Sequence, residues 1–184
     1  MIDFHPLHVD PKTELRLLQL ADAGRLFDLV DENRAHMRKW LPWVDFTQTP
    51  RDSADFIEAS LRKIEKREEI HCGIWHDSQW VGVIGTHSID WEKRETSLGY
   101  WIIKEFEGKG IITKSCRAFI QYLIEHMKLA RIEICCAADN LRSCAVAQRL
   151  GFERKGLPLL SSGRGGTSKA QVVYCWVAPP VASR

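Results

Sequence analysis

The stretch Leu98-Gly99-Tyr100-Trp101-Ile102-Ile103-Lys104-Glu105-Phe106-Glu107-Gly108-Lys109-Gly110-Ile111-Ile112-Thr113 decides the fold of this chain. Leu98 to Ile103 is an apolar run of strand character, and a helical pattern starts near Thr113. Between them lies a turn, Glu107 to Thr113, with glycines at 108 and 110. Strand, glycine turn and helix start together present backbone N–H groups to a phosphate. The first amides of a helix lack an internal acceptor, the helix dipole adds partial positive charge, and glycine admits close approach. The turn thus predicts a phosphorylated ligand, against the plainer reading of a strand-to-helix connection made of small residues.

Three ligand classes compete for such a turn. Gly108 to Ser115 approaches the Walker pattern, because Lys114-Ser115 supplies its final pair, but Thr113 stands where the second glycine is needed. The dinucleotide fingerprint fails as well, since Gly108-x-Gly110-x-x-Thr113 lacks the third glycine that lets helix and strand pack. The pyrophosphate of coenzyme A is the third class, and the rest of the chain has to choose.

Bulk properties narrow the choice. A chain of 184 residues is expected to form one domain with a real core. Apolar content of 45% and charged content of 27% are ordinary for a globular protein. A formal net charge of +2, with no long Lys/Arg block, gives no electrostatic case for nucleic acid. No apolar run approaches the ~20 residues of a membrane span, and Met1-Ile2-Asp3-Phe4-His5 lacks the basic and apolar regions of a secretion signal. The expectation is a cytoplasmic protein. The six cysteines, at 72, 116, 135, 136, 144 and 175, sit in apolar patterns without C-x-x-C and read as small buried hydrophobes. No metal is expected, because a zinc site from His71, Cys72 and His76 would need a second ligand pair at finger-like spacing.

Along the chain, residues 1–13 carry Pro6 and Pro11 and read as an irregular lead-in. Glu14 to Leu20 predicts a first strand, and Asp22 a cap for a helix with Leu26, Leu29 and Val30 on one face, ending near Asn33. After the link Arg38-Lys39-Trp40-Leu41-Pro42-Trp43, the run Thr49-Pro50-Arg51-Asp52 starts a second helix. Strands follow over Ile70 to His76, Trp80 to Ile89 and Thr96 to Ile103, then a helix from Thr113 to about Met127 with Cys116, Phe119, Ile120, Leu123 and Ile124 inward. A strand over Arg131 to Ala137, a helix from Asp139-Asn140 to Arg149, and a hairpin of Phe152 to Leu160 against Gln171 to Val177 complete the chain. The order β-α-α-β-β-β-α-β-α-β-β predicts an α/β (α+β) mixed sheet with helices on its faces. A P-loop domain would instead repeat β-α units.

The run Gly99 to Ile111 resembles the acetyl-coenzyme A motif of the GNAT acetyltransferases. Asp139-Asn140-Leu141-Arg142-Ser143-Cys144-Ala145-Val146-Ala147-Gln148-Arg149-Leu150-Gly151-Phe152 resembles the "N-x-x-S … G-F" helix of that superfamily. Within it, Arg38 to Trp43 and Gly99-Tyr100-Trp101 are similar to the RimJ/RimL type, which acetylates the amino termini of ribosomal proteins. The resemblance covers roughly residues 14–178 and implies the acyl-coenzyme A N-acyltransferase fold. That fold has a mostly antiparallel central sheet with a strand-helix-strand unit for the cosubstrate. It further implies acetyl-coenzyme A as cosubstrate, an amine acceptor, most directly a protein N-terminus, and leaves room for a homo-oligomer.

On this reading, amides of Gly108, Lys109, Gly110, Ile111, Ile112 and Thr113 hold the pyrophosphate, and the backbone of Trp101, Ile102 and Ile103 pairs with the pantetheine arm as an added strand. An amide of the same strand can stabilise the oxyanion that forms on the thioester carbonyl. Asn140 either bonds pantetheine or caps its helix. Direct attack by a neutral amine needs a proton source for the departing thiolate, and Ser143 holds the position where RimL relatives place a serine beside the sulfur. Arg38, Trp40 and Trp43 are expected to build the acceptor pocket. The glutamate of the RimL-type hairpin is replaced: a gapless alignment from Gly156 to Tyr174 puts Ser162 there. His87 is then the candidate base, with Glu95 a second, and an α-amine with pKa near ~8 needs no strong base. Cys144, near a helix start, offers covalent catalysis as a competing mechanism. Other readings are a small-amine acetyltransferase, acting on a polyamine or amino sugar, and a non-catalytic acyl-coenzyme A sensor.

Overall fold

The computed structural model describes residues 2, 4–155 and 170–178. Eight strands form one sheet: β1 (Leu7–Asp10), β2 (Thr13–Leu17), β3 (His71–His76), β4 (Gln79–Thr86), β5 (Glu95–Ile102), β6 (Arg131–Ala137), β7 (Glu153–Lys155) and β8 (Gln171–Val177). Their spatial order is β1-β2-β3-β4-β5-β6-β8-β7. Every neighbouring pair is antiparallel except β5 and β6, which run parallel. Two parallel strands need a crossover, and α3 (Ile111–Glu125) supplies it, so the glycine turn opens the one connection in the sheet that carries a helix between parallel neighbours.

Helices cover both faces. On one, α1 (Ala23–Met37) and α2 (Pro50–Glu65) bury Leu26, Leu29, Val30, Met37 and Ile57 against Trp80 and Val83. On the other, α3 brings Cys116, Phe119, Ile120 and Leu123, and α4 (Leu141–Arg149) brings Val146 and Ala147, against Leu98, Ile132 and Ile134. The spacing of these residues is the three-to-four repeat of a helix with one apolar stripe. The start of α2 forms as the sequence predicts: Thr49 caps, Pro50 takes the first turn, and Asp52 accepts from the Thr49 N–H at 2.7 Å in a capping box.

Several boundaries differ from the sequence reading. The lead-in contains β1, which pairs with β2 as the sheet's outermost strand, where flanking prolines are tolerated. Helix α1 continues four residues past Asn33 to Met37, held there by Arg34, whose guanidinium donates to the carbonyls of Val44 and Thr47. Asp22 does not cap α1 with its side chain; it accepts from the Gln19 N–H at 2.9 Å one turn earlier. Helix α3 starts at Ile111, directly after Gly110, rather than at Thr113. The final hairpin pairs Glu153–Lys155 with Val173–Cys175, while the tip from Ser161 to Gly166 and the position of Ser162 lie outside the described residues.

Candidate active site

Strands β5 and β6 pair only from Glu95 to Leu98 and Arg131 to Ile134. Beyond Leu98 strand β5 stays on β4, and beyond Ile134 strand β6 stays on β8, so the two part and leave a wedge. Hydrogen-bond parity then fixes which groups face it. The N–H of Ile103 donates to Val81 O at 2.9 Å and that of His87 donates to Ser97 O at 2.8 Å, so odd-numbered residues of β5 bond to β4. The polar backbone of Tyr100 and Ile102 therefore turns into the wedge. An extended amide-bearing chain can add there as a strand would. The sequence reading named Trp101 to Ile103 for this role; the backbone that faces the wedge is that of Tyr100 and Ile102, while Trp101 and Ile103 turn theirs to β4.

The glycine turn sits at the mouth of the wedge. Gly108 and Gly110 have φ of 74° and 77°, the left-handed region that side chains resist, and a Cβ on either would meet nothing within 4 Å. Among the described residues no side chain caps α3, and its first turn borders a cavity. A cavity of about 1160 Å³ runs from this turn along β5 and is lined by residues 108–113 together with Trp101, Ile102, Asn140 and Ser143. Uncapped amides, an open glycine cradle and an unpaired strand edge fit a pyrophosphate joined to an amide-bearing arm.

A second cavity, about 770 Å³, opens on the α1–α2 face and is lined by Trp40, Trp43, His87 and Trp101, among others. Both cavities reach Trp40, Leu41, Tyr100, Trp101, Asn140 and Ser143. Arg38 and Ile103 border neither; Arg38 Nε is bound to Asp45 Oδ1 at 2.6 Å on the surface, and Ile103 packs between the two cores. Glu95 also lies apart, in contact with Lys93 and Arg131. Cys144 is buried with its Sγ 3.4 Å from Cys136 Sγ, borders neither cavity, and no hydrogen bond joins it to a histidine among the described residues, which removes the geometry of an activated nucleophile.

At the junction, Asn140 caps α4 by accepting from the Ser143 N–H at 3.2 Å. Ser143 Oγ lies 3.1 Å from Tyr100 Oη, and the phenol also donates to the Ser143 carbonyl at 3.3 Å. Burial pushes the Tyr100 phenol well above its ordinary pKa, with nearby thiols adding to the shift, so it stays protonated. Tyr100 was quoted in the sequence motif without a role; its alternation with Trp101 is the signal that places it on the opposite face, toward α4.

Two glycines shape the second cavity. Gly85 and Gly99 are cross-strand partners, and His71 faces Gly85 from β3. A Cβ at Gly85 would come within 2.4 Å of the His71 ring, and one at Gly99 within 3.0 Å of His87 Nε2. Both imidazoles thus lie over positions that carry no side chain. His71 Nδ1 is buried without a partner among the described residues, Phe56 packs edge-on to the ring at 5.3 Å, and Glu69 Oε2 stands 3.8 Å from Nε2. Burial brings the His71 pKa down to about 4, helped by His87 and Lys63 and opposed by Glu69. The sequence reading weighed His71 only as a zinc ligand and gave Glu69 no role, because only strand register brings them to the cavity.

The model of the acetyltransferase (GNAT) domain matches residues 12–153. YdaF of Bacillus subtilis, provisionally assigned as a ribosomal N-acetyltransferase, is 38% identical over 152 residues, covering 80% of this chain and 81% of its own. Among solved structures, the microcin self-immunity acetyltransferase MccE, in complex with acetyl-CoA and AMP, is 29% identical with a TM-score of 0.86, over 92% of this chain and 94% of its own. RimL, a ribosomal α-N-protein acetyltransferase in complex with coenzyme A, shares the fold at a TM-score of 0.89 over 95% of this chain and 98% of its own, at 22% identity. With a mixed sheet parted beside an open glycine turn, the chain is an acetyl-CoA-dependent N-acetyltransferase and belongs to the GNAT acetyltransferase family.

Proposed function

We propose that this enzyme transfers the acetyl group of acetyl-coenzyme A to the N-terminal α-amine of a ribosomal protein. The observation that carries the reading is the meeting of two cavities, from opposite faces of the sheet, at Tyr100, Trp101, Asn140 and Ser143. A thioester laid along β5 would end there, and an amine entering past Trp40 and Trp43 would meet it. The amine nitrogen bonds to the acetyl carbon, the carbon–sulfur bond breaks, the amine loses a proton and the thiolate gains one. Tyr100 Oη reaches both the Ser143 carbonyl and Ser143 Oγ, and when its one proton turns from the carbonyl to Oγ the serine's own proton is free for the sulfur. Backbone N–H groups at the parted edge of β5 offer the oxyanion a donor. His87, which lies over Gly99 and lines the acceptor-side cavity, is on this reading the group that takes the amine's proton, directly or through water.

Two things favour a protein α-amine over a polyamine. The relatives include YdaF and RimL, whose names concern ribosomal proteins. The carboxylates on the acceptor side are also already engaged: Asp52 in its capping box and Glu69 with Lys63 at 2.8 Å. A polycation would have to compete with those partners. The test is to incubate the purified chain with acetyl-coenzyme A and either peptides copying ribosomal-protein N-termini or spermine and an aminoglycoside. Release of free thiol gives the rate, and mass spectrometry locates the acetyl group. The proposal expects the best α-amine peptide to exceed the small amines at least about tenfold in kcat/KM. Faster turnover of spermine or the aminoglycoside would reassign the acceptor.

A further inference from the structure

We infer that the Glu107 carboxylate holds the place of a cosubstrate phosphate in the free enzyme, and that Arg142 exchanges Glu107 for that phosphate on binding. The inference rests on the acetyl-coenzyme A reading above. Glu107 directly precedes Gly108, on extended backbone with φ of −65° and ψ of 155°, and its side chain borders the cosubstrate cavity. Both carboxylate oxygens are engaged: Oε1 accepts from His36 Nε2 at 2.8 Å, and Oε2 accepts from Arg142 Nη1. The three residues come from the end of α1, the phosphate turn and the first turn of α4, and all border that cavity.

A carboxylate one residue before a phosphate-binding turn opposes an incoming anion unless its charge is balanced. Here Arg142 supplies the balance. His36 does not, because burial and the neighbouring cations Lys104, Arg142 and Lys39 hold its pKa below the ordinary value, so near neutral pH it donates as an uncharged imidazole. Holding the fold together is a weak reason for the pair, since the Arg142 side chain is 76% exposed and ion pairs so open to water contribute little. What the pair does accomplish is to park a guanidinium beside the glycine cradle. Such a group matches a phosphate bidentately, as well as it matches a carboxylate. Binding then replaces one ion pair by another, and opening Glu107–Arg142 subtracts from the affinity.

This exchange gives the two partners opposite signs. Glu107→Gln removes the competitor while preserving shape, and frees Arg142 for the phosphate. Arg142→Gln removes the phosphate's partner and leaves Glu107 facing it. If the trio only braced α1 against α4, both variants would loosen the same brace and both would bind more weakly. Titration calorimetry of coenzyme A into the full chain, at low and high salt, decides between them, with circular dichroism melting to confirm folding. We expect Glu107→Gln to bind about three- to tenfold tighter and Arg142→Gln about tenfold weaker, with the gap narrowing at high salt. Weakening by both, or an unchanged Glu107→Gln, overturns the exchange while wild-type binding keeps the cosubstrate reading intact. A wild-type chain that takes up no coenzyme A overturns that reading and the exchange together.

Discussion

Ser143 is the residue on which the proposed chemistry turns, and its structural duties are separable from it. Its N–H serves the Asn140 cap; its hydroxyl meets Tyr100. Truncating the side chain therefore spares the cap and removes only the hydroxyl. Charge on the thiolate exists only in the transition state, so Ser143→Ala should lower the single-turnover rate by roughly tenfold to a thousandfold. The Kd for acetyl-coenzyme A should barely move. A normal rate in a folded alanine variant would remove Ser143 from the mechanism and leave catalysis to positioning and backbone amides. Ser143 and Asn140 could be proposed from the sequence because their motif is local, and the Asn140 cap is the one of its two alternatives that forms in the fold. Tyr100 could not be, because its partner lies 43 positions away and only the approach of α4 to β5 brings them together.

At the scale of elements, the glycine turn and α3 form one unit, and its connection to β5 was readable from the local order of apolar run, glycine turn and helical pattern. The outermost strand was not: β1 sits between Pro6 and Pro11, and nothing local distinguishes an edge strand that tolerates proline from an irregular lead-in. The left-handed φ of Gly110 supplies a test of what its missing side chain is for. Valine at 110 adds both backbone strain and bulk in the cradle, whereas asparagine adds bulk but tolerates the left-handed region. Gly110→Val should weaken coenzyme A binding at least tenfold, more than ~1.4 kcal/mol. Gly110→Asn should weaken it comparably while melting closer to wild type. Full affinity in the asparagine variant would mean that the glycine serves the turn's conformation and not the approach of a phosphate.

For the whole molecule, the proposed function divides labour between the faces of the sheet, with α3 and the glycine turn assigned to the cosubstrate and α1 and α2, which line the other cavity, to the acceptor. The order of elements foretold the mixed sheet, yet the acceptor face depends on register across β3, β4 and β5, which no local pattern encodes. That register buries His71 against Gly85, and the burial has a global consequence. The folded pKa of His71 is about 4, while an unfolded histidine titrates near 6.5. Between those values the unfolded chain binds the proton and the folded chain does not, so stability rises with pH across that window. This contribution is fully present above about pH 6.5 and is lost progressively as the pH falls toward 4, at no more than about 1.4 kcal/mol per pH unit. Burial sets most of its extent, and the groups facing the ring adjust it, Glu69 favouring the proton and His87 and Lys63 opposing it. Carboxylates titrate in the same range in any variant, so the informative quantity is a difference. Melting curves from pH 7 to 4 should fall more steeply for the wild type than for His71→Gln. Parallel slopes would mean that His71 is not held neutral beneath α2, and the acceptor cavity would then have to bind its amine beside a cation.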